Sequence, residues 1–134
     1  MTEQENTELV QRAYNHFLQG EIPAVLELLS EDVEWLIPGP ESAPPAGSWH
    51  GREQVGRFFE ALSDSQEPRQ FEPREFVAQG DRVVTLGHYL WHVKATGGEW
   101  ESDFAHLFTV RDGMVTRFQE FTDTNALSHA FGEG

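Results

Sequence analysis

A histidine and a glutamate, His106 and Glu120, stand on two consecutive predicted strands joined by the turn Arg111-Asp112-Gly113. Side chains alternate along a strand, so a tight hairpin places both on one side of the sheet. Phe104, Phe108 and Phe118 share that side. An imidazole beside a carboxylate, walled by rings, can serve as a general acid/base in an apolar pocket. Tyr14, on the apolar stripe of the first predicted helix, offers a hydroxyl to the same chemistry, or a core ring with its hydroxyl satisfied. A buried structural pair between His106 and Glu120 is the competing reading. His88 and His92 make no metal site, because four residues along a strand span about 13 Å.

These side chains need elements to position them. Val10, Ala13, Tyr14, Phe17 and Leu18 recur at helical spacing and predict a helix from about Thr7 to Gln19, stopped by Gly20. Pro23 suits the first turn of a second, short helix. Val33 to Ile37 reads as a strand, ended by Pro38-Gly39-Pro40. The proline-rich stretch from Pro38 to Gly47 is the longest loop, a candidate lid or rim. A third helix spans roughly Arg52 to Ser63, with Val55, Phe58, Phe59 and Leu62 inward. Strands then run from Arg69 to Gln79, Arg82 to Thr96, Glu99 to Val110 and Met114 to Thr122, separated by glycine-containing turns. Pro73 puts the first of them at the sheet edge. A short last helix, about Asn125 to Phe131, follows Asp123, which reads as its cap.

Turn chemistry predicts the register. A two-residue Gly97-Gly98 loop pairs Thr96 with Glu99, hence Lys94 with Glu101 and His92 with Asp103. A turn with Gly113 left-handed pairs Val110 with Met114, and places Phe104, not His106, opposite Glu120. One face then carries Tyr89, Trp91, Phe104, His106, Phe108, Phe118 and Glu120. It must pack on the helices. The other carries charged residues, with Leu86, Leu90, Leu107 and Phe121 among them. A twisted sheet wrapped around helices leaves a hollow at one end. Trp35, Trp49, Tyr89, Trp91, Phe104 and Phe118 are the candidates to line it.

The chain has 134 residues, which suits a single domain over 1–134. At 38% hydrophobic and 12% aromatic it can fill one core. A net charge of −14 makes nucleic acid and anionic membranes poor partners. With no cysteine there is no thiol nucleophile, disulfide or thiolate metal site. No stretch approaches the roughly 20 apolar residues of a membrane span. The polar start MTEQENTELV is no secretory signal, so a soluble, cytoplasmic protein is expected.

The buried tyrosine of helix 1, SEDVEW, WHGREQVGRFF and FAHLFTVRDGMVTRFQEFTDT together resemble the SnoaL-like polyketide cyclase family. That family lies within the nuclear transport factor-like superfamily, with ketosteroid isomerases and limonene-epoxide hydrolases. The resemblance covers nearly the whole chain. It implies an α+β fold: a cone-shaped, curved antiparallel sheet wrapped around three N-terminal helices, enclosing a hydrophobic pocket. His106 resembles the pocket histidine of the cyclases, Glu120 their acid/base aspartate, and Tyr14 a pocket tyrosine. Leu36-Ile37-Pro38 stands where the isomerases place an aspartate base, and Glu99 to Asp103 lacks the arginine of the epoxide hydrolases. Neither of those activities is expected. What the resemblance implies is an acid/base enzyme of cyclase or isomerase type, without cofactor or metal, acting on a small, mostly apolar carbonyl compound. A non-catalytic binder of hydrophobic ligands and a dimeric interaction module are the alternatives. A homodimer through the outer sheet face is implied as well.

Overall fold

The computed structural model describes residues 1–132. Helix α1 spans Glu3–Leu18 and starts earlier than its apolar stripe suggests, because Thr2 and Glu5 form a capping box. Its buried face carries Leu9, Val10, Ala13 and Tyr14. Helix α2 (Ile22–Glu27) has Pro23 in its first turn. Strand β1 (Leu29–Ile37) and the short β2 (Gly47–His50) bracket the proline-rich loop, and α3 (Gly51–Ser65) follows. Its inner face is Val55, Phe58 and Phe59. The meander is β3 (Gln66–Gln79), β4 (Arg82–Val93), β5 (Glu99–Arg111) and β6 (Met114–Phe121), and α4 (Thr124–Ala130) closes the chain. As its proline predicts, β3 lies at one edge of the six-stranded sheet, whose order is β2-β1-β6-β5-β4-β3.

The sheet is mixed, where an antiparallel one is expected. Strand β1 runs parallel to β6, with Trp35 beside Phe118 and Leu36 beside Gln119. Parallel neighbours need a long crossover, which α3 and four strands supply here. Apolar periodicity records a buried face and is silent on strand direction. Bulges near Pro68, Pro73 and Thr109 add local bend and twist, and the sheet curls around α1 and α3.

Both predicted turn registers are corrected. Between β4 and β5 the chain makes a longer turn, in which Val93 N donates to Gly98 O at 2.7 Å and Gly97 N to Val93 O at 2.9 Å. His92, not Thr96, faces Glu99, a slip of four residues. The reason is tertiary: Thr96 Oγ1 donates to Ala130 O of α4 at 2.6 Å, and Lys94 Nζ to Ser63 O of α3 at 2.7 Å. Between β5 and β6, Asp112 (φ 53°) and Gly113 (φ 77°) make a two-residue turn pairing Arg111 with Met114. A bulge at Thr109/Val110 then brings His106 directly opposite Glu120, a slip of two. Beyond the bulge both slips are even, so the residues assigned to each face keep it. Between turn and bulge Val115, not Met114, shares the buried face with Val110.

Candidate functional site

Helix α1 presses its inner face onto β3 and β4, carrying Tyr14 to the middle of the curled sheet. There the Tyr14 hydroxyl lies 2.6 Å from His106 Nδ1, and His106 Nε2 lies 3.0 Å from Glu120 Oε2. Tyr89 adds a second donor: its hydroxyl is 3.0 Å from the same Glu120 oxygen and 2.7 Å from Thr122 Oγ1. Thr122 continues to Ser102 Oγ at 3.3 Å. The chain of bonds assigns the imidazole proton. With Nε2–H donating to the carboxylate, Nδ1 is free to accept from the Tyr14 hydroxyl.

Rings hold this chain in place. Phe104 stacks on His106 with centroids 4.1 Å apart, and Phe118 meets it edge-on at 4.9 Å. The His106 side chain is 5% exposed and that of Glu120 15%. Burial pushes the Tyr14 phenol well above its ordinary range, and the Glu120 charge pushes the same way. Tyr89 is raised for the same two reasons, burial first. Both therefore stay protonated donors across the physiological range. Both donors to Glu120 meet Oε2, and Oε1 accepts from no described residue. That oxygen is the open acceptor at this end of the site.

The chain of bonds forms one wall of a cavity of about 90 Å³ between the helices and the sheet. Tyr14, His106, Glu120, Trp35, Tyr89, Trp91 and Phe118 all border it. Pro38, Ala43, Pro45 and Ala46 of the proline-rich loop border it too, with Leu127 of α4. The loop therefore borders the cavity. Trp49 and Phe104 are corrections. Trp49 turns aside, its indole N–H bonded to Pro45 O at 2.9 Å and its ring on Phe58. Phe104 lies behind His106 and Tyr89, supporting them from outside the cavity. Sequence reasoning misses Phe17, Phe71, Trp100 and Gln66 on the wall. Phe71 lies on the bulged strand β3, where period two fails, and Gln66 begins that strand where helix ends.

An α+β cone with its cavity walled by helices, sheet and one loop is the nuclear transport factor-like class. The matching family model is that of the SnoaL-like domain, over residues 10–118, and the chain belongs to that family. A nuclear transport factor-like protein from Burkholderia xenovorans superimposes with a TM-score of 0.90 at 36% identity, over 98% of this chain and 99% of that one. TerC, whose crystals were grown with polyporic acid, matches with a TM-score of 0.81 at 29% identity, over 95% of this chain and 98% of that one. An uncharacterized protein of Mycobacterium tuberculosis is 24% identical over 98% of each chain.

Proposed function

We propose that the protein is a cofactor-independent acid/base enzyme of cyclase or isomerase type, acting on a small, mostly apolar carbonyl compound. The observation that carries this reading is the Tyr14–His106–Glu120 chain on the wall of a largely apolar cavity. Glu120 Oε1 takes the proton from the carbon beside the carbonyl, and the C–H electron pair moves into a C=C bond as charge gathers on oxygen. Both nitrogens of His106 are already engaged, so the donor to that oxygen is the Tyr14 hydroxyl, turning from Nδ1. His106 holds the carboxylate and the phenol in register. Return of the proton to another carbon completes an isomerisation; attack of the enolate carbon on a second carbonyl, whose oxygen then takes the proton from Glu120, completes a cyclisation. The co-crystallisation of TerC with polyporic acid, a ring compound with carbonyl groups, supports the substrate class.

The test is turnover of a panel of aryl and alicyclic ketones by the wild type, Glu120→Gln and Tyr14→Phe. Loss of about a hundredfold or more in either variant is expected for an acid/base or oxyanion donor. Turnover unchanged in both folded variants refutes the assignment. A second reading, a non-catalytic binder of hydrophobic ligands, is favoured by one observation: apart from Glu120 Oε1, the polar atoms of this chain satisfy one another. Native mass spectrometry separates the two, since a ligand retained from cells and released unchanged marks a binder.

We also propose a homodimer through the outer sheet face. Leu86 and Phe121 are exposed there by 37% and 49%.

A further inference from the structure

Among the described residues, Gln66 is the one side-chain amide on the cavity wall. It is 5% exposed, buried where α3 ends and β3 begins. Its side chain accepts from Trp100 Nε1 at 2.8 Å. An indole nitrogen only donates, so the atom facing it is the amide oxygen. The amide nitrogen is thereby turned the other way. It has no hydrogen-bond partner among the described residues, nor is it among the side-chain atoms sealed from solvent. The backbone is held on both sides, by Gln66 N bonding Leu62 O and by ladder pairing with Val93. With its oxygen spent on Trp100, the amide keeps N–H donors that a molecule in the cavity can engage.

We propose that Gln66 determines specificity: its side-chain NH2 donates to an acceptor oxygen on the bound molecule, at a point of the cavity wall distinct from Glu120. Tyr89, bonded to Glu120, and Trp100, bonded to Gln66, link the two polar points through ring centroids 5.3 Å apart. The two points are opposite in character, with Glu120 Oε1 an acceptor and the Gln66 amide a donor. The favoured ligand is therefore a flat, uncharged ring compound carrying a hydroxyl or acidic C–H at one end and a carbonyl oxygen at the other. This rests on the cavity being a ligand site, and it adds a second carbonyl-type oxygen apart from the reacting carbon.

The experiment compares 4-hydroxyacetophenone, a single ring with its hydroxyl and acetyl groups at opposite ends, with 4-isopropylphenol. Binding to the full chain is followed by tryptophan fluorescence. A purely apolar cavity favours the isopropyl compound. Donation by Gln66 reverses this, and the acetyl compound binds about tenfold tighter to the wild type. Gln66→Glu keeps an acceptor for Trp100 but has no N–H to give; Gln66→Met has neither. The acetyl preference is expected to vanish in whichever of the two is folded, as judged by thermal melting. The same preference in wild type and variants, or none in the wild type, overturns the proposal and leaves the cavity reading standing. Failure of the wild type to bind either compound refutes the cavity reading itself.

Discussion

Gly87→Ala tests whether the packing behind the site sets its geometry. Gly87 sits on β4, beside Pro73 of β3 and Phe104 of β5. A methyl group there would lie 2.8 Å from Phe104 Cε2, and closer still to Phe104 Cζ and the Glu72 carbonyl oxygen. The ring cannot move freely, because it stacks on His106 at 4.1 Å and packs at a tilt against Tyr89 at 4.7 Å. The carbonyl belongs to the backbone of the longest strand. Overpacking costs about 1–3 kcal/mol, and a rigid obstacle puts this site near the upper end. A loss of about 3 kcal/mol is a large part of the roughly 5–15 kcal/mol that holds such a domain folded. It corresponds to a melting temperature lower by about 10 °C at this chain length. Thermal unfolding followed by circular dichroism gives that number, and the His106 ring resonances should shift because Phe104 is displaced onto them. A melting temperature within about 2 °C of wild type, with His106 unshifted, would show that Phe104 yields freely and that it does not buttress the site.

His88, on the outer sheet face, is held above the usual histidine range by its bonds to Glu101 Oε2 at 2.7 Å and Asp103 Oδ1 at 2.8 Å. A raised folded-state value means its contribution to stability is complete below the unfolded pKa and fades as pH rises through the folded one. Denaturant midpoints from about pH 5 to about pH 9 should show this fall in the wild type and lose it in His88→Gln; parallel profiles would contradict it. If the outer face pairs two copies, Phe121→Asp shifts sedimentation from dimer to monomer, whereas a wild type that sediments as a stable monomer at micromolar concentration ends that proposal. Asp123 Oδ1 accepts from Asn125 N at 3.1 Å and Ala126 N at 3.0 Å, so Asp123→Ala should cost about 1 kcal/mol and speed amide exchange in α4. Unchanged exchange there would mean that α4 is held by Leu127 and Thr96 alone.

Faces were legible in the sequence because apolar alternation survives any even slip. His106, Glu120 and Tyr89 share a wall although both turn registers differ from the prediction. The registers themselves were not legible. The Gly97-Gly98 turn is shaped by α4 docking through Thr96 and Ala130, a contact between residues far apart in the chain. Strand β2 was hidden because its four residues carry no alternation to detect. The parallel pairing of β1 with β6 left no local trace either. For the site, residue types pointed to His106, Glu120 and Tyr14. Gln66 was invisible because a lone glutamine between a helix and a strand looks like surface until its burial is known.

The pairing of β1 with β6 also bears on how the chain is made. Trp35 rests on Phe118 with centroids 4.1 Å apart, yet about 80 residues separate them in the chain. At about 5–20 residues per second, a ribosome takes on the order of ten seconds to deliver one after the other. Through that interval β1 has only the short β2 on one edge, and its Trp35 face has only α3 to cover it. The C-terminal strand completes the enclosure, so a chain released before β6 lacks the wall that carries Glu120 and leaves apolar rings in water. Truncation near the end of the message should therefore yield aggregation rather than a smaller folded domain.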